Sequence, residues 1–305
     1  MSHKANEERV IALGFFDGVH LGHGALLKRT VEEARRRGVK ASVFTFDRPP
    51  KEVVTGIPCP LINSAEDRIS LARRLYGIDE VIVAQFDRTM MSTPWDAFVT
   101  DLLADRFHAV HLVAGHDHRF GHKNQGTPAL LAEKCRELGL DCDIIPKVEL
   151  DGVTVSSTHI RGLLEAGDME TAARFLGHPH VLTREVRHGR RIGRTIGIPT
   201  INLTLPEGVL SPAHGVYVTR AVLRDGRSFA AVTNVGTRPT VHNGTDVTVE
   251  SFLLDFDGDL YGQQVRLEFQ RRLRGEIPFP SLDDLRNQIA RDAEAARKWF
   301  QDHPL

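Results

Sequence analysis

Apolar and polar positions follow two rhythms along the chain. Up to about residue 180, short apolar runs of strand length alternate with stretches of helical spacing. Val10–Leu13, Lys40–Phe46, Glu80–Gln85, Ala109–Ala114 and Asp143–Lys147 are the strand candidates; near-continuous apolar runs of this length suit strands buried on both faces. Between them the pattern predicts helices with readable ends. One runs from Ala25 to Arg37 and closes at Gly38, glycine being the usual left-handed stop. Ser64 with Asp67 three residues on caps a helix over Ala65–Leu75. Thr93-Pro94 and Thr127-Pro128 each set a hydroxyl before a proline, the arrangement of a helix entry. The second of these leads into Ala129–Leu138 and stops at Gly139. Strand–helix alternation predicts a parallel sheet with helices on both faces.

After Leu182 the rhythm becomes all-β. Val216–Leu223, Phe229–Val235, Thr245–Phe256 and Gln264–Gln270 are strand-like and separated by turn residues such as Arg224-Asp-Gly-Arg. This predicts an antiparallel barrel or sandwich. A final amphipathic helix spans Leu282–Phe300 behind Ser281 as its cap. The change of rhythm falls around Gly177-His-Pro-His, which divides the chain into 1–182 and 183–305. With 305 residues, each part has enough chain for its own core.

Composition narrows the function classes. The hydrophobic share of 41% and charged share of 26% are those of an ordinary globular protein. A net charge of −1 supplies no electrostatic reason for nucleic-acid binding. No apolar run is long enough to span a membrane, and the polar start Met1-Ser-His-Lys lacks a signal-peptide stretch. Three cysteines, none in a C-x-x-C pair, argue against a disulfide framework or zinc site and fit a reducing cytoplasm.

Candidate chemistry concentrates where strands turn into helices. Gly14-Phe-Phe-Asp-Gly-Val-His-Leu-Gly-His23 follows the first strand, on the rim where open α/β sheets bind ligands. His20 and His23 are three apart and share a helical face. Gly22 lets an anion approach the backbone, and a helix N-terminus favours phosphate. Two imidazoles on one phosphate suit a displacement at a nucleotide's α-phosphorus. Gly115-His-Asp-His-Arg-Phe-Gly121 follows the fourth strand. It reads as a nucleotide-contacting loop, a plain surface loop or, with His116, Asp117, His118 and His122, a metal site; the last lacks the register of known ligand sets. Ser156-Ser-Thr-His-Ile-Arg161 opens a helix, so its hydroxyls either cap that helix or, with Arg161, bind phosphate.

In the second half, the stretch from Arg187 to Gly197 is basic and glycine-rich, a composition for wrapping and neutralising phosphates or for a solvated turn. Gly189, Gly193 and Arg194 belong to it. Thr200 and Asn202 follow two apart, on one face of a strand, as hard oxygen donors suited to Mg²⁺ with ATP. Glu250 interrupts Val-Glu-Ser-Phe-Leu-Leu, either as the polar position of an alternating strand or as a base.

Taken in order, these motifs resemble those of the bacterial bifunctional riboflavin kinase/FMN adenylyltransferase (FAD synthetase) family. Residues 14–23 resemble its first signature. Gly115–Gly121 resembles Gly-x-Asp/Asn-Phe-x-Phe-Gly, with His118 in place of phenylalanine. Thr45-Phe-Asp-Arg-Pro-Pro50 partly matches Thr-Phe-x-Pro-His-Pro, on the flavin side. Residues 193–203 resemble the riboflavin kinase signature, Gly-Arg-x-Leu-Gly-Phe-Pro-Thr-Ala-Asn-Leu, with Ile198 and Ile201 for Phe and Ala. Gly215-Val-Tyr, Asn234–Thr240, Val249–Asp255, Leu260-Tyr-Gly262 and Leu273–Glu276 follow in order. The resemblance implies a Rossmann-like nucleotidyltransferase domain and a riboflavin kinase barrel. It implies nucleotide or substrate binding by Gly14, Phe16, Gly22, Asp117, Ser156, Thr158, Arg161, Gly189, Gly193, Arg194, Thr200 and Asn202. His20 and His23 would act in adenylyl transfer, Glu250 would be the kinase base, and Thr200 and Asn202 would hold Mg²⁺. Riboflavin, FMN, FAD and ATP would be its small-molecule partners, with no nucleic acid or membrane, in a monomer or weak homo-oligomer. Two other readings stand beside it. One is a different adenylyl- or cytidylyltransferase whose barrel serves assembly only. The other is a non-catalytic flavin sensor, against which an intact Glu250, His20 and His23 speak.

Overall fold

A computed structural model describes residues 8–189, 197–239 and 245–304. They form two compact units: one of the chain up to Pro60 with Arg68–Ser156, the other of Leu61–Asp67 with the chain from Ser157. In the first, β1 (Arg9–Leu13) leads to α1 (Leu21–Arg37), β2 (Lys40–Phe46), α2 (Pro50–Thr55), α3 (Ala65–Tyr76), β3 (Glu80–Ala84), α4 (Arg88–Ser92), α5 (Trp95–Ala97), β4 (Ala109–Gly115), α6 (Pro128–Leu138) and β5 (Asp141–Ile145). The strands form one parallel sheet in the order β3-β2-β1-β4-β5. Ile11 lies opposite Ser42 on one side and Leu112 on the other. Ile11, Leu13, Phe44, Leu103, Leu112 and Leu131 build the core beneath the helices, each such side chain contributing roughly 1.5–3 kcal/mol by leaving water. Strand order reverses direction between β1 and β4, and a crevice opens outside the carboxyl ends at such a switch point.

All five predicted strands are present, β5 two residues earlier than expected; the short helices α2 and α4 are not expected from the sequence pattern, and other details differ. Helix α1 begins four residues earlier than its apolar spacing indicates, because His20 rather than a residue near Ala25 serves as the cap. Thr93 does not cap a helix. It ends α4 with its hydroxyl donated to Thr89 O at 3.0 Å, and α5 runs on into a π-helix over Phe98–Arg106. A hairpin of β6 (Glu149–Leu150) and β7 (Val153–Thr154) is hidden in the sequence by the shortness of its strands. Its Asp151-Gly152 turn, with φ 52° and 76°, carries the usual two-residue hairpin signal.

The second unit holds α7 (Ser157–Ala166), α8 (Met169–Leu176), β8 (His180–Glu185), β9 (Ile201–Thr204), β10 (Gly215–Leu223), β11 (Ser228–Pro239), β12 (Thr245–Leu253), β13 (Gln264–Arg274) and α9 (Leu282–Asp302). Its antiparallel sheet runs β8-β13-β10-β11-β12-β9. The Arg187 N–H donates to Asn202 O at 2.9 Å, which nearly closes the sheet into the expected barrel. Inside, Thr219, Thr233 and Ser251 are fully buried and linked hydroxyl to hydroxyl at 2.7 and 2.8 Å, so their polar atoms are not left unpaired. Helix α9 is capped by Ser281 as predicted and lays Ala293 and Ala296 on Val216, Val218 and Val232. The strap Leu61–Asp67 joins this unit through Leu210 N–H to Leu61 O, 2.7 Å, and the Asn63 amide to Val181 O, 3.2 Å. Strand β8 escapes prediction because only Val181-Leu182 is apolar in it.

His180 of β8 is 3% exposed. Burial, with His178 adding to it, pushes its pKa down to about 3. The folded protein therefore refuses a proton that the unfolded chain accepts below about 6.5. Stability should be fully present above that pH and fall as pH drops below it, by up to about 1.4 kcal/mol per pH unit for this group. Urea unfolding at pH 7, 6 and 5 should show that slope added to those of the other buried imidazoles His23 and His118, and His180→Phe should remove its own share and leave the rest.

Candidate active sites

The turn from β1 into α1 runs through two left-handed non-glycine residues, Phe16 at φ 58° and Val19 at φ 45°. Such conformations cost on the order of 1–3 kcal/mol each and persist only when the surroundings impose them. Arg68 does so. It is 4% exposed, and its guanidinium donates to Phe15 O and, at 3.3 Å, to Phe46 O, while lying 4.1 Å over the Phe15 ring. The Thr45 hydroxyl adds a bond to Phe15 O at 3.0 Å. Burial pushes the Arg68 pKa down against the opposing pull of Asp17 and Asp47.

This turn delivers His20 to the N-cap of α1, where its Nδ1 accepts from the His23 N–H at 3.3 Å. An accepting Nδ1 leaves Nε2 as the protonated, donating nitrogen of the neutral ring. The His23 ring stacks on His20 with centroids 3.6 Å apart, and Phe16 lies 5.2 Å from His23. Burial, then the neighbouring His20 and Arg68, holds His23 well below the usual imidazole range. His23 therefore rests neutral, and a bound polyphosphate would favour its charged, donating form. Gly22 lies beside the His20 ring: a Cβ there would sit 3.1 Å from Cε1.

Gly14 opens onto a cavity of about 310 Å³ walled by Leu13, Phe44, Phe46, Phe86, Met90 and Phe120. His118 lines it with its ring 18° from parallel to Phe120, centroids 5.6 Å apart. Burial pushes His118 down to about 4, so a neutral flat ring stands where the family pattern has phenylalanine. Asp117 is exposed and does not line this cavity. Among the described residues no group of three or more His, Cys, Asp or Glu side chains could hold a metal ion. Ser156 precedes α7, with Thr158 and Arg161 in its first turns; Ser156 and Arg161 are half-buried and Thr158 is exposed.

In the second unit, strand register builds the site. Asn202 of β9 stands opposite Glu250 of β12, and Glu250 opposite Asn234 of β11. The same row continues through Val216 of β10 to Arg274 of β13, and side chains in register share a face. Glu250, Asn234, Arg274 and Glu276 line a cavity of about 320 Å³ with an apolar wall that includes Phe252 and Phe279. Strand β9 starts one residue after Thr200, so strand alternation does not reach Thr200. Thr200 instead sits where this cavity meets a smaller one of about 80 Å³, next to Asp257, Asp259 and Tyr261. Gly189 passes so close to the Asn202 carboxamide that a Cβ would overlap it. Gly193 and Arg194 lie outside the described residues.

Two site residues carry no role in the sequence reading. Arg68 and Asp292 both sit on apolar helix stripes, Arg68 with Leu71 and Ala72, Asp292 with Ile289, Ala293 and Ala296. A charge on a stripe that faces the core is the signal that could have found them. Asp292 accepts from Arg274 at 2.8 Å and from Gln288 at 2.9 Å, and so fixes Arg274 at the edge of the cavity.

A family model described as FAD synthetase matches residues 2–159, and one described as riboflavin kinase matches residues 176–300. The bifunctional riboflavin kinase/FMN adenylyltransferase of Haemophilus influenzae is 38% identical over 291 residues, 95% of this chain and 94% of its own. That of Escherichia coli K12 is 37% identical over 98% of this chain and 95% of its own. A solved structure described as a macrolide-efflux protein from Streptococcus pneumoniae superposes with a TM-score of 0.82 at 30% identity, over 97% of this chain and 98% of that one. No helix among the described residues is long and apolar enough to cross a membrane. Two family models in chain order, one on each kind of sheet, agree with relatives aligned from end to end: the chain belongs to the bifunctional riboflavin kinase/FMN adenylyltransferase family.

Proposed function

We propose that the second unit phosphorylates riboflavin with ATP and that the first joins AMP to the resulting FMN. The observation that carries this reading is the cross-strand row Asn202–Glu250–Asn234, of which Glu250 and Asn234 line a cavity of about 320 Å³, separate from the paired imidazoles at the head of α1. In the kinase step Glu250 accepts the proton of the riboflavin 5′-hydroxyl. That oxygen bonds to the γ-phosphorus of ATP, and ADP leaves. Thr200 and Asn202 offer hard oxygens, and the close approach of Gly189 to Asn202 supports a cradle there; these donors fit Mg²⁺ carried with ATP, which supplies neutralisation of phosphate charge. Gly189, Gly193 and Arg194 would wrap and neutralise the phosphates.

In the adenylyl step a phosphate oxygen of FMN bonds to the α-phosphorus of ATP, and pyrophosphate leaves. No protein nucleophile takes part. His20 and His23 donate to the oxygens on which charge builds. Ser156, Thr158 and Arg161 grip phosphate oxygens, Asp117 meets ribose or base, and Gly14, Phe16 and Gly22 border the nucleotide. The apolar cavity beside Gly14 takes the flavin ring. The catalytic halves divide at 182/183, a little after the FAD synthetase match ends at residue 159 and the riboflavin kinase match begins at residue 176. The enzyme works in the cytoplasm on small molecules, without nucleic acid or membrane, as a monomer or weak homo-oligomer.

Purified protein incubated with riboflavin, ATP and Mg²⁺ should yield FMN and then FAD on chromatography. Glu250→Gln should lower FMN formation by roughly 10²–10⁴-fold, the usual worth of a general base, while FAD still forms from added FMN. Flavin binding without any product would refute the reading. His20→Asn keeps a side-chain acceptor at the cap. Combined with His23→Ala it should let FMN accumulate and reduce FAD at least about 100-fold. Loss of both products from that pair of changes would contradict independent sites.

A further inference from the structure

The two larger cavities differ in charge. Among the described residues, the one beside Glu250 carries three carboxylates, Glu250, Glu276 and Asp292, and its cation Arg274 is already paired with Asp292. The one beside Gly14 is lined by no carboxylate, yet Arg119 and Lys123 lie on its wall. Neither has a carboxylate partner among the described residues. Two uncompensated cations on an apolar cavity are an anion-binding arrangement.

The segment that presents Lys123 is clamped at both ends. Phe120 and Gly126 exchange backbone hydrogen bonds of 3.3 and 2.9 Å. The His122 N–H donates to Thr93 O at 2.7 Å, and its ring Nδ1 lies 3.3 Å from Met91 O. Gly121, at φ 71°, packs where a Cβ would overlap the Trp95 backbone. Between these anchors Lys123 (φ 52°) and Asn124 (φ 58°) are held left-handed, a conformation that side chains other than glycine, asparagine and aspartate rarely take. The backbone that carries the exposed Lys123 is thus set in place before any ligand arrives, which lowers the ordering cost of binding.

We infer that Lys123, assisted by Arg119, reads the 5′-phosphate of FMN and makes this cavity prefer the phosphorylated flavin over riboflavin. The inference rests on the reading of this cavity as the flavin end of the adenylyl-transfer site. FMN carries close to two negative charges at pH 7 and riboflavin none, so one cation pair separates them where ring contacts cannot. The carboxylates of the other cavity suit the neutral flavin.

The test is steady-state FAD formation by the full chain from FMN and ATP, with 5′-deoxyriboflavin as a neutral competitor that cannot be phosphorylated. Lys123→Gln should raise KM for FMN about 10- to 100-fold, the worth of one hydrogen bond to a charged group. Its kcat should change far less, and the competitor's inhibition constant should stay nearly constant. Lys123→Arg should recover most of the affinity. Added salt should weaken FMN binding to the wild type more than to Lys123→Gln. An unchanged KM for FMN in Lys123→Gln with Arg119→Gln would overturn the inference, as would equal losses for FMN and the neutral flavin. Val54→Trp places a large ring at the mouth of the same cavity. If it left both flavins unaffected, the assignment of the cavity itself would fall.

Discussion

One buried guanidinium holds the head of the first sheet in its working shape. Arg68 gives up its hydration to bind Phe15 O at the end of β1 and Phe46 O at the end of β2. Taking a cation out of water costs several kcal/mol, and the carbonyls, the Phe15 ring and the fields of Asp17 and Asp47 offset that cost. In return the turn can keep Phe16 and Val19 left-handed. That path brings His20 to the helix cap with Nδ1 turned to its own helix, and stacks His23 upon it. The chemistry of two stacked imidazoles therefore depends on a residue about 45 positions further along the chain.

The two sites are built by different means. In the first unit a reversal of strand order opens a crevice, and loops after β1 and β4 furnish it; side chains come from turns and a helix start. In the second unit five strands line up one residue each, and the site is a row across the sheet. Turn-built sites accept strained backbone, as at Val19 and Lys123. The row needs none, since register alone puts Asn202, Glu250 and Asn234 side by side. Each construction suits the chemistry proposed for it. A helix end grips a chain of phosphates, and a strand row sets a base beside a hydroxyl and a nucleotide.

Much of this was legible in the residues themselves. The five parallel strands, the barrel strands from Gly215 onward and the final helix follow from apolar spacing, and Ser281, Thr127 and Ser64 announce their caps. What escapes is short or contrary to local preference. Strand β8 has two apolar residues, and the hairpin after β5 has strands of two. Thr93 looks like a helix entry, but the chain around it turns to receive His122, so its hydroxyl closes α4 instead. Arg68 and Asp292 interrupt apolar stripes, and periodicity alone treats an interruption as noise.

Local spacing and the order of motifs along the chain established the class of each half and the family, because the period of buried positions and the residues of a turn are properties of neighbouring positions. Tertiary structure alone decided which distant residues meet. The row from Asn202 to Arg274, the strap Leu61–Asp67 packing with the barrel unit, and the opposite charge of the two cavities depend on strand register and crossover. Those are fixed by which packing buries the most apolar surface while pairing every backbone group, and no window of sequence contains that sum.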